Sequence, residues 1–128
     1  MMEQRILLVD DEEVSNFLAK KLIERSKDGC HIDTVNNGDE ALNFINERHA
    51  SNRPLPDFIF LDLNMPILDG FGFLDAFNQL AIPQKEKIRI FIVSSSLDHN
   101  DSIKAKELGA TQFISKPLST QIITAILS

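Results

Sequence analysis

Four short stretches of the chain bring together side chains that could do chemistry: Asp10-Asp11, Asp62-Leu63-Asn64, Ser94-Ser95-Ser96 and Lys116-Pro117. The first three close or follow apolar runs that read as strands, and Lys116 follows a weaker one. In an open α/β sheet the ligand site lies outside the carboxyl ends of the strands, so three carboxylates, a hydroxyl and an amine are expected along one edge. Carboxylates held a few ångström apart at low effective dielectric repel strongly, and such a trio needs protons or a cation. Magnesium suits it, because this hard ion takes oxygen ligands, keeps several waters and is commonly bound through one or two carboxylates plus a phosphate. A carboxylate beside such an ion can attack a phosphoryl donor, since the metal offsets the charge on both partners. Asp62 is then the candidate nucleophile and Lys116 a point charge for a phosphoryl oxygen. Ser94 is a hydroxyl donor to another, and the backbone amides after Asp62 and Ser94 complete the cradle.

Taken singly, each feature has an ordinary explanation. Asp10 to Glu13 are acids that a helix dipole favours in a first turn, Asp62 and Asn64 are turn formers, and Ser94 to Ser96 could cap a helix. Lys116 before Pro117 could be a solvated turn charge, and Phe113 a core residue. Independent turn chemistry gives no reason for all of them to fall at successive strand ends in this order.

The elements that must position these groups are legible in the apolar pattern. Arg5 to Val9, Phe58 to Leu61 and Ile88 to Val93 are nearly continuous runs of the kind that parallel strands buried on both faces require. Ile32 to Val35 and Gln112 to Ser115 are weaker strand candidates. Helical spacing appears at Val14, Phe17, Leu18 and Leu22; at Ala41, Leu42 and Ile45; at Phe73, Leu74 and Phe77; at Ile103, Ala105 and Leu108; and at Ile122, Ile123, Ile126 and Leu127. Asn37-Gly38 and Asp69-Gly70 precede the second and third helices, and Leu108-Gly109 follows the fourth. About five strand–helix repeats with right-handed crossovers predict an α/β, doubly wound, five-stranded parallel sheet with helices on both faces.

The chain of 128 residues is expected to be one domain, 1–128, without an attached output domain. No apolar run approaches a membrane span and the N-terminus lacks a secretory core, so a cytoplasmic protein is expected. The net charge of -6 opposes attraction to phosphate backbones, which argues against direct nucleic-acid binding. A single cysteine, Cys30, excludes an internal disulfide and any cysteine-based zinc site.

With these residues in hand, the sequence closely resembles the receiver domains of two-component response regulators from Ile6 to about Leu127. The matching features are the acidic pair Asp10-Asp11, Asp62 within LDLNMP, the following Pro66, Asp69 and Gly70, then Ser94, and finally Lys116-Pro117. The resemblance implies the flavodoxin-like strand order 2-1-3-4-5. It implies phosphorylation of Asp62 with magnesium bound directly by Asp11 and Asp62, by Asp10 chiefly through water, and by the backbone carbonyl of Asn64. It also implies a switch pair of Ser94 and Phe113, tuning of phosphoryl lifetime at Asn64 and Ser96, and a cis Lys116-Pro117 peptide. Ser94 stands where Thr is commoner and Phe113 where Tyr is, so the ring would carry no hydroxyl.

The function expected is that of a stand-alone phosphoacceptor switch rather than a turnover enzyme. It would take its phosphoryl group from a sensor histidine kinase or histidine phosphotransfer protein and signal by docking to a downstream protein. A monomer or a weak homodimer through the fourth helix, fifth strand and fifth helix is implied. Two other readings fit less well. A haloacid-dehalogenase-like phosphatase carries its nucleophile at the end of the first strand in Asp-x-Asp. A flavodoxin-like carrier needs a phosphate loop there, which Asp10 to Glu13 would repel.

Overall fold

The computed structural model describes residues 3–95 and 98–128. Five strands, β1 (Arg5–Val9), β2 (His31–Val35), β3 (Phe58–Asp62), β4 (Arg89–Ser94) and β5 (Gln112–Ser115), alternate with five helices. The helices are α1 (Glu13–Ser26), α2 (Gly38–Ala50), α3 (Gly70–Asn78), α4 (His99–Glu107) and α5 (Thr120–Leu127). The strands are all parallel, as the apolar pattern predicts, and pair in the order β2-β1-β3-β4-β5, as the resemblance to receiver domains implies.

Successive side chains of a strand point to opposite faces, and here each face has its own core. Leu7, Val9, Ile59, Leu61, Ile90 and Ile92 pack with residues of α2, α3 and α4 on one side. Ile6, Leu8, Phe60, Phe91, Val93 and Ile114 pack with Ile23 of α1 and with Ile123 and Leu127 of α5 on the other. Burial on both faces explains why β1, β3 and β4 read as unbroken apolar runs. β2 is an edge strand, more polar and with no fully buried residue, and it was correspondingly fainter in the sequence.

Punctuation falls where the sequence placed it. Asn37 caps α2 by accepting from the Glu40 N–H at 2.9 Å, and Asp69 caps α3 by accepting from the Gly72 N–H at 2.8 Å. Gly109 follows α4 with φ +100°, a left-handed turn suited to glycine. The Lys116-Pro117 peptide is cis, as the resemblance to receiver domains implies.

One face differs from a simple amphipathic reading. The spacing of Val14, Phe17 and Leu18 does mark a helix, yet these side chains are 69%, 55% and 57% exposed. The buried residues of α1 are Asn16 and Ile23, with Ala19 and Leu22 packed beside the core. The helix is turned so that its first apolar residues face out and an asparagine faces in.

Candidate functional site

The parallel sheet delivers its functional groups to one edge because every strand ends there. Asp10 and Asp11 follow β1, Asp62 is the last residue of β3, Ser94 is the last of β4, and Lys116 follows β5. β1 and β3 are hydrogen-bonded neighbours although their crossovers leave in opposite directions along the sheet, so this edge is the switch point where α/β proteins place ligands.

Carboxylate oxygens of Asp10, Asp11 and Asp62 all lie within 4.8 Å of one another. Asp10 and Asp62 are buried and Asp11 is exposed at the mouth. The Lys116 Nζ donates to Asp10 Oδ2 at 2.8 Å and stands 3.9 Å from Asp62 Oδ2. The other Asp10 oxygen, Oδ1, accepts from the Glu12 N–H at 3.0 Å. Asp10 is therefore held on both oxygens by the protein, while Asp11 and Asp62 are less engaged. Lys116 is in turn fixed by its backbone, whose N–H donates to the Ser94 carbonyl at 2.8 Å. That bond joins the ends of β4 and β5 at the site.

Burial pushes the Asp62 carboxyl up to about 6. Lys116 and the Asn64 backbone N–H oppose the rise, and the charges of Asp10 and Asp11 add to it. The Lys116 ammonium is pushed the other way by burial, but the hydrogen bond to Asp10 and the charge of Asp62 outweigh that effect and its pKa is raised. The protein without a bound cation thus resists ionisation of Asp62.

The donor set fits a hard divalent cation: three oxygen donors, two buried and one open to solvent, with no sulfur or imidazole. Ser94 is fully buried at the end of β4, beside this group in the fold, and Phe113 of β5 is half-buried against the α3 and α4 side of the core. Asn64, two residues past Asp62, is exposed. Ser96 lies outside the described residues.

A cleft of about 610 Å³ opens beside the acids, between α1 and the segment that enters α5. Leu8, Phe60 and Val93 form its floor, and Leu118 forms part of its wall. The exposed Val14, Phe17 and Leu18 belong to the helix bounding this cleft, and the spacing that announced that helix did not reveal its orientation. Sequence reasoning also passed over Asn16 and the Glu12 N–H. The only available signal for Asn16 was its spacing of three and seven residues from Ala19 and Ile23.

The chain matches a family described as the response regulator receiver domain over residues 6–128. It is 32% identical over 124 residues to the alkaline phosphatase synthesis transcriptional regulatory protein PhoP of Bacillus subtilis, an alignment covering 97% of this chain and 47% of that protein. A two-component response regulator from Cytophaga hutchinsonii superposes with a TM-score of 0.88 at 34% identity, over 97% of this chain and 93% of its own. The Mn(2+)-bound form of response regulator Rcp1 superposes with a TM-score of 0.79 at 25% identity, over 96% and 91%. The chain spans less than half the length of the curated relatives it matches. Fold, sequence and strand-end chemistry agree: the chain belongs to the response regulator receiver domain family of two-component signalling.

Proposed function

We propose that the chain is a phosphoacceptor switch in which Asp62 takes a phosphoryl group from a histidine kinase or histidine phosphotransfer protein. The observation that carries this reading is the meeting of Asp10, Asp11 and Asp62 oxygens within 4.8 Å, with the Lys116 amine 3.9 Å from Asp62. Asp10, Asp11, Asp62 and the Asn64 carbonyl would hold magnesium, and the manganese in the related Rcp1 structure supports a divalent ion. When bound, that ion supplies the positive charge against which a carboxylate and a phosphoryl group can approach.

The chain's own groups do the rest. An Asp62 oxygen attacks phosphorus as the P–N bond of a phosphohistidine breaks, and the imidazole, already protonated on its other ring nitrogen, departs neutral. Lys116, freed to turn from carboxylate to phosphoryl oxygen, offsets the new charge, and the Ser94 hydroxyl donates to another oxygen. Movement of Ser94 toward the phosphoryl group would be accompanied by inward rotation of Phe113, which would change the surface that a target protein reads. The exposed Val14, Phe17 and Leu18, beside the cleft that leads to Asp62, supply an apolar surface against which a phosphodonor protein could rest.

A small-molecule phosphodonor with magnesium should add one phosphoryl group, read by intact mass. Asp62→Asn should add none, and chelation should suppress labelling of the wild type. A wild type that gains no mass would sink the proposal.

A further inference from the structure

Five polar or charged residues are buried among the described residues: Asp10, Asn16, Asn37, Asp62 and Ser94. Four have a place already, as site groups or, in the case of Asn37, as the cap of α2. Asn16 does not.

The Asn16 side chain lies beneath the acids. Its Nδ2 donates to the Asp10 carbonyl at 3.0 Å and to the Val35 carbonyl at 3.2 Å, using both hydrogens of the amide. The Val35 carbonyl also accepts from the Asp10 N–H at 3.2 Å. The end of β1, the end of β2 and the first turn of α1 are thereby tied at one point. The Asp10 carbonyl belongs to the peptide that joins Asp10 to Asp11, so its orientation sets where the Asp11 side chain leaves the chain. Asp11 makes none of the restraining contacts that fix Asp10, and its placement depends on its backbone.

We infer that Asn16 is a positioning residue for the cation site, holding the Asp10-Asp11 peptide so that the Asp11 carboxylate faces Asp10 and Asp62. This rests on the reading of those three acids as a divalent site. It also accounts for the rotation of α1. Turning Asn16 inward to reach two strand-end carbonyls turns Val14, Phe17 and Leu18 outward, since residues one or two positions away on a helix lie on other faces.

Magnesium supplies a specific test, because it demands near-ideal octahedral geometry whereas calcium accepts a looser arrangement of oxygens. Asn16→Leu keeps the branched shape, though its methyls are larger, and removes both donors. In calorimetric titrations of metal-free protein with each ion alone, Asn16→Leu should lose about tenfold in magnesium affinity, as loss of an outer-shell partner commonly does, and clearly less in calcium affinity. Unchanged magnesium affinity would overturn the inference. So would equal losses for both ions, which would mark a general loosening of the fold. Should Asn16→Leu fail to fold by circular dichroism, the same comparison on Asn16→Gln, which keeps the amide but displaces it, decides by the same two criteria. A wild type that binds neither ion overturns the reading of the acids themselves, whereas wild-type binding with no selective loss in the variants overturns only the role of Asn16.

Discussion

Asp62 is costly to hold as an anion in this fold, and that cost has a sign that can be measured. Burial raises its carboxyl from 3.8, the value of a free chain, to about 6 in the folded protein. As pH rises across that window the unfolded chain gives up its proton first, so the folded state holds more protons and stability falls with rising pH. Above the window the loss is complete, and below it the loss disappears. Asp62→Asn removes the charge without changing shape, so in the presence of a chelator it should be more stable than the wild type at about pH 7.5 and indistinguishable from it at about pH 3.5. Urea midpoints at the two pH values check this, and a variant advantage that persisted at the acid end would deny that ionisation is the cause. The opposing pulls on Asp62 were only partly legible in the sequence. That the acids would crowd could be read from their strand-end positions. That Lys116 would hydrogen-bond Asp10, leaving Asp62 with the weaker contact, depends on distances of an ångström or so.

The β3–α3 connection shows what an element adds to that chemistry. Gly70 starts α3, and its N–H donates to the Leu63 carbonyl at 2.9 Å. A Cβ at this position would lie 2.9 Å from both the Asp62 carbonyl oxygen and the Leu63 Cα, backbone atoms that cannot swing aside. Gly70→Ala should cost about 1–3 kcal/mol, the usual range for overpacking, and should slow labelling of Asp62 because the strand end itself must move. Three residues earlier, Ile67 is 82% exposed and has φ +70°, with the Leu68 N–H donating to the Pro66 carbonyl at 2.8 Å across it. A β-branched residue in this region is strained by about 1–3 kcal/mol, whereas asparagine tolerates it. Ile67→Asn should therefore raise the melting temperature while Gly70→Ala lowers it, and thermal unfolding of the pair decides both. The Pro66 to Gly70 pattern announces a turn, but nothing in it places Ile67 at positive φ. The outward face of α1 was hidden for a related reason: periodicity identifies a helix without saying which side meets the sheet, and here two carbonyls claimed Asn16.

At the scale of the whole molecule, the sheet brings Asp10 within 2.8 Å of Lys116 across 106 residues of sequence. Strand alternation and right-handed crossovers made a doubly wound parallel sheet legible, and the strand ends therefore had to share one edge; the order that sets β5 two strands from β3 came from the resemblance to receiver domains. The formal charges it assembles, three carboxylates against one ammonium, leave an excess of two negative charges, matching one divalent cation. Lys116 is therefore both a partner for the acids and a competitor for any metal they bind. Without metal, Lys116→Met should be less stable than the wild type, because the buried acids lose their compensating charge. With magnesium the order of sensitivity reverses. Binding stabilises a folded protein by about 2.7 kcal/mol at a ligand concentration of about 100 times Kd, and a variant whose Asp10 oxygen has been released should reach that gain at a lower magnesium concentration. Melting temperatures followed through a magnesium titration should show the Lys116→Met curve starting lower and rising earlier than that of the wild type. A curve that starts lower and rises at the same or a higher concentration would mean that the lysine supports the cation site, and that the charge balance described here does not govern it.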